Sequence, residues 1–158
     1  MTIHCTELAG ADTIEFWAEL EPFVIDALAF DLYNSITLKD LRRQIETGFA
    51  RTLLCADDDR LLSVTILQLF KNTHDERILH VVCTAGEDSN AWLACLIDSL
   101  QSMAKQENCD AVTMAGRPGW ARKLRNFGFK TDQVHMRLDP NVSIRREKRE
   151  QVTLAAVR

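Results

Sequence analysis

Cys83-Thr84-Ala85-Gly86-Glu87-Asp88-Ser89-Asn90-Ala91-Trp92 is the stretch on which the fold turns, because it joins an apolar run to an amphipathic one. Upstream, residues 77–84 read as a long strand. Downstream, over residues 90–106, Trp92, Leu93, Leu96, Ile97, Leu100, Met103 and Ala104 recur at helical spacing and form one stripe. A short apolar strand over 110–115 follows directly. Strand, helix, strand in that order implies a right-handed parallel crossover. The turn into the helix offers the free N–H groups and partial positive charge that suit a phosphate. Glu87 and Asp88 already occupy that field, and the stretch carries no basic residue.

Working outward, residues 51–56 and 61–70 read as strands around the acidic turn Asp57-Asp58-Asp59-Arg60, an antiparallel hairpin. Residues 3–8 supply a first strand. Asp12 is the expected N-cap of a helix carrying Phe16, Trp17, Leu20, Val24, Ala27 and Leu28. Thr37 caps a second helix with Leu38, Leu41, Ile45 and Phe49 on one face, ending near Gly48. Beyond the crossover come a short helix over 119–127 and an alternating last strand over 134–138. The order β, α, α, β, β, β, α, β, α, β predicts an α/β fold: a mixed, mostly antiparallel sheet with one parallel crossover and helices on both faces.

At 158 residues and 46% hydrophobic content, the chain fits one domain over residues 1–140, followed by an arm over 141–158. The net charge of −4 is unevenly placed, with +3 over residues 143–158 and about −7 elsewhere. A general nucleic-acid-binding surface is therefore not expected. No apolar run approaches the ~20 residues of a membrane span, and no charged-then-apolar leader opens the sequence, so a soluble, unsecreted protein is expected. The five cysteines, at 5, 55, 83, 95 and 109, form no CxxC pair and sit in apolar runs, which predicts free thiols in a reducing compartment.

The run Gly116-Arg117-Pro118-Gly119-Trp120-Ala121-Arg122-Lys123-Leu124, then Gly128-Phe129, together with Ile45-Glu46-Thr47-Gly48 and Val64-Thr65-Ile66, resembles the GNAT acetyltransferases. Within them it is similar to a group of small phage-encoded GNAT-like proteins, over about residues 37–138. The resemblance implies a site for acetyl-CoA at the strand-to-helix turn. GNAT enzymes carry a Gln/Arg-x-x-Gly-x-Gly/Ala loop there, of which this chain keeps only Gly86. Many also place a Tyr in the helix after the fifth strand to protonate the departing thiolate. Here that helix holds Trp120, Asn126 and Phe127, and the single Tyr is Tyr33.

If the chain is an enzyme, Gly86, Ser89 and Asn90 are the expected remnants of the phosphate cradle. The candidates for a base are His80, mid-strand on the face of Ile78 and Val82, and Glu76 just before the strand. A packed, hydrogen-bonded structural role is the competing expectation for His80. His4, His74 and His135 share no ligand spacing, so no metal site is expected. Arg117, at a rigid corner before Pro118, is expected to contact a partner, as are Arg145, Arg146, Lys148 and Arg149 of the arm, with 151–157 alternating as an added strand would.

The acidic loop, with only Ala85 to Ser89 between strand and helix, the absent tyrosine and the basic arm favour a non-catalytic structural or assembly component of a virion, with no cofactor and with other virion proteins as partners in several copies. The alternative is an acetyl-CoA-dependent N-acetyltransferase acting on a host or phage amine. A third expectation is a module that inhibits a host protein through the Gly-Arg-Pro-Gly-Trp corner. Virion or host cytoplasm is the expected location.

Overall fold

The computed structural model describes residues 2–30, 36–58 and 60–141. Five strands, β1 (Ile3–Leu8), β2 (Ala50–Asp57), β3 (Arg60–Lys71), β4 (Arg77–Gly86) and β5 (Ala111–Met114), lie in the order β1-β2-β3-β4-β5. The first three pairings are antiparallel and β4–β5 is parallel. The helices are α1 (Gly10–Glu15), α2 (Trp17–Leu28), α3 (Leu38–Glu46), α4 (Ser89–Gln106) and α5 (Pro118–Arg125). This is the mixed α/β architecture the sequence predicts.

Apolar side chains cover both faces of the sheet. On one, Leu67, Leu79 and Val81 meet Trp92, Leu96 and Leu100 of α4; on the other, Val64 and Ile66 meet Trp17, Val24, Leu41 and Ile45. Each such fully buried side chain contributes roughly 1.5–3 kcal/mol. Strand β3 lies central between the two layers, which is why its middle residues are buried without alternation. Thr37 caps α3 as expected, accepting from Asp40 N at 3.1 Å.

Four expectations need correction. The first helix is broken at Phe16 into α1 and α2, and Asp12 lies in the first turn of α1 rather than at its cap. Helix α1 packs on α3 while α2 packs on β4 and β3, two directions that one straight helix cannot serve. Phe49 lies beyond the end of α3 and is half exposed, because the helix stops at Glu46. Residues 134–138 form no strand: Val134, Met136 and Leu138 are 73%, 83% and 71% exposed, since alternation alone supplies no neighbour to pair with.

The fourth correction concerns the thiols. Cys5 and Cys55 are disulfide-bonded, because the antiparallel register sets them directly opposite across β1 and β2 with Cα atoms 4.2 Å apart. Cys83, Cys95 and Cys109 are free. Among the described residues no helix is long and apolar enough to cross a membrane. Tyr33, Asp59, the basic residues Arg145, Arg146, Lys148 and Arg149, and the run 151–157 lie outside the described residues.

Candidate functional site

Strands β4 and β5 pair over only four rungs, from Ile78 with Ala111 to Val81 with Met114, and then part. On the other side of β4, the pairing with β3 skips Val82 between Val81 and Cys83, a bulge that turns the strand where β5 ends. Among the described residues, β4 is paired from Cys83 to Gly86 on its β3 side alone. The fork opens into a cleft of about 1510 Å³, floored by Val81–Gly86 and walled by the end of α2, by Met114–Pro118 and Trp120, and by Thr131 and Gln133–His135. A β edge with unpaired amides offers hydrogen bonds to an extended, amide-bearing chain.

The strand-to-helix turn stands at one end of this cleft. Gly86 is held against β3 so tightly that a Cβ there would lie 2.3 Å from the Leu62 carbonyl oxygen. Asp88 adopts a left-handed conformation, φ 47°, and its side chain does not cap α4. The buried Trp92 indole donates to the Glu87 carbonyl at 2.8 Å and so fixes the turn. Lys123 of α5 donates to the Ser89 hydroxyl, and Arg60 approaches Glu87 at 3.7 Å. Cations drawn from elsewhere in the chain therefore stand beside the acidic turn. Across the cleft mouth, the Arg117 guanidinium stacks 3.7 Å from the Phe30 ring centroid.

Behind the fork, one face of the sheet carries a polar row. Gln68 of β3, His80 of β4 and Thr113 of β5 occupy consecutive positions across the register. His80 Nδ1 lies 2.8 Å from Thr113 Oγ1, and its ring meets Phe70 edge-on at 6.1 Å. Gln68 Nε2 donates to Gln44 Oε1 of α3 at 2.6 Å. Burial lowers the His80 pKa below its ordinary value of 6.5, so the imidazole is neutral at physiological pH. A groove of about 670 Å³ opens over this row, and it shares Ile36, Val82 and Ala115 with the larger cleft.

Of the expected site residues, His80 lies one rung before the fork. Glu76 does not join it: exposed in the β3–β4 turn, it accepts from Asn72 Nδ2 at 2.9 Å and closes that turn instead. Gly86 borders the cleft, whereas Ser89 and Asn90 stand just outside its lining. Cys83 lines the cleft, yet burial pushes its thiol up to about 12, so it stays protonated and is no nucleophile. Arg117 is exposed as expected, with Phe30 as its neighbour. Among the described residues no three of His, Cys, Asp or Glu converge on a metal position. Sequence reasoning missed Lys123, Thr113, Gln68 and Gln44. The run Arg122-Lys123 on the helix after the crossover was a signal for the first, and long-range pairing left none for the others.

The overall fold is similar to that of solved acetyltransferases. A predicted acetyltransferase from Clostridium acetobutylicum, crystallised with acetyl-CoA, superposes with a TM-score of 0.62 at 12% identity, over 87% of this chain and 96% of that one. The fold is that of the GNAT acetyltransferases. Ribosomal-protein-alanine N-acetyltransferase from Brucella melitensis biovar Abortus 2308 gives 0.63 at 18% identity, over 87% and 99% of the two chains. An aminoglycoside acetyltransferase from an uncultured soil metagenomic sample gives 0.64 at 12%, over 90% and 100%. At such identities the likeness speaks for the GNAT fold alone. No protein-family model matches the sequence, and no curated protein sequence matches it.

Proposed function

We propose that this protein is an acetyl-CoA-dependent N-acetyltransferase. The observation that carries the reading is the fork itself: β4 leaves an open edge over Val82–Gly86, beside a cleft of about 1510 Å³. The residues fit such a group. The β4 edge would hold the pantetheine amides, and Lys123 would face the phosphates at the start of α4. Bound there, acetyl-CoA supplies an acetyl thioester open to attack by an amine.

The chain's own part is positioning and proton transfer. His80 sits one rung before the fork, and in the tautomer whose Nδ1–H donates to Thr113 Oγ1 its Nε2 carries the lone pair that takes the proton of the amine. Burial keeps that nitrogen unprotonated near neutrality. The assembly reading, with virion proteins as partners, has no observation of its own among the described residues.

Titration calorimetry with acetyl-CoA tests the proposal. Saturable binding in the range of about 1 µM to 1 mM, where Michaelis constants fall, supports it. Absence of both heat and thermal stabilisation at millimolar acetyl-CoA overturns it and leaves the fold as a scaffold.

A further inference from the structure

We propose that the groove between α3 and the sheet is the acceptor site, and that it selects a small amine bearing a carboxylate, of which an α-amino acid is the simplest. The inference rests on the N-acetyltransferase reading and names the substrate class of that same site.

Three observations carry it. The first is position: the groove and the cofactor cleft meet at Ile36, Val82 and Ala115, so an amine lying in the groove reaches the fork from the side opposite α4. The second is the floor. The α3 side of the sheet is built of buried apolar residues such as Val64 and Ile66, yet beneath the groove it presents Gln68 and His80, with Gln44 bonded over them. Gln68 Nε2 is taken up by Gln44 and His80 Nδ1 by Thr113, so the nitrogens that this polar floor offers a ligand are Gln44 Nε2 and His80 Nε2.

The third observation is charge. Among the described residues the lining brings one carboxylate, Asp40, and one guanidinium, Arg43, three residues apart and hence on neighbouring positions of the α3 surface. The Thr37 hydroxyl donates to Asp40 Oδ2 at 2.6 Å and, as the leading cause, holds this carboxyl below its ordinary range, so it is ionised at neutral pH. One negative and one positive group side by side match an ammonium and a carboxylate on one small molecule, and the guanidinium fork suits a carboxylate's two oxygens. Among the described residues a polycation would find a single acid there and meet Arg43 as well. Ile36 and the half-exposed Phe49 add apolar surface for a side chain.

The test is binding without cofactor, followed by imidazole NMR of His80, assigned with His80→Gln. L-Alanine, L-glutamine and L-phenylalanine are each titrated against their C-terminal amides and against spermidine. The expected result is saturable displacement of the His80 signals by at least one amino acid, its amide binding about tenfold more weakly, and loss of that preference in Arg43→Gln. Equal affinity for the amides, tighter binding of spermidine, or no response at His80 overturns the proposal. Acetyl-CoA titration beside it separates the two readings. Cofactor binding without amino-acid selectivity sinks the acceptor class alone. Amino-acid selectivity without cofactor binding sinks the transferase.

Discussion

His80 Nδ1 lies 2.8 Å from Thr113 Oγ1 on the rung next to the last before β4 and β5 part. The pairing orients an imidazole beside the opening between β4 and β5, and it assigns the two residues separable effects. His80→Gln should lower kcat/KM by about 10²–10⁴ with acetyl-CoA affinity unchanged, as expected for removal of a general base. Thr113→Val should lower it less, because the base remains but loses its orienting partner. Steady-state kinetics with calorimetry of both variants checks this; a full-rate His80→Gln enzyme would assign the proton transfer elsewhere.

The same histidine sets a pH dependence. Its folded pKa lies below the ordinary 6.5, the cause being burial beside Phe70, Gln68 and Thr113. The unfolded chain therefore binds a proton here more readily than the folded one. The stability this position contributes is full above about pH 6.5 and is lost as the pH falls through the lowered folded value. The rate should likewise rise with pH through that value and then level off. The melting temperature should fall between pH 8 and pH 5 by more for the native protein than for His80→Gln.

Lys123 is the cation that the acidic turn lacks in sequence, brought to Ser89 by α5. Lys123→Met should weaken acetyl-CoA several-fold and reduce the salt dependence of binding, because an exposed charge acts through a screened field. Titrations at low and high salt read both effects.

Gly86→Ala places a Cβ against the Leu62 carbonyl and 2.8 Å from Ser63 Cβ, with backbone on one side. The substitution should cost about 1–3 kcal/mol, as overpacking does. Urea denaturation measures it; an unchanged midpoint would mean that β3 and β4 separate freely there.

The Cys5–Cys55 link ties the edge strand β1 to β2 and closes a span of 50 residues. Its removal as Cys5→Ser with Cys55→Ser should cost about 2–4 kcal/mol. Alkylation of the unfolded, unreduced protein should modify three cysteines, and five after reduction; five without reductant would refute the pairing.

Much of this molecule could be read before it was seen. The stripe from Trp92 to Ala104, the Thr37 cap and the acidic hairpin around Asp58 all depend on neighbours within a few residues, and each formed where expected. His80 was legible as a mid-strand titratable group, though not the hydroxyl that holds it. Glu76 was misplaced because proximity in sequence to His80 says nothing about the direction in which a turn residue points.

Composition and periodicity were enough for the α/β class, the parallel crossover and the two-layered core, because strand and helix periods are local properties of the chain. The disulfide, the reach of Lys123 to Ser89, the row from Gln68 through His80 to Thr113 and the fork at Val82 came from folding alone. Each joins side chains through register or bulge across distant segments, and a bulge of one residue or a slip of one rung changes which groups meet while leaving every local pattern intact.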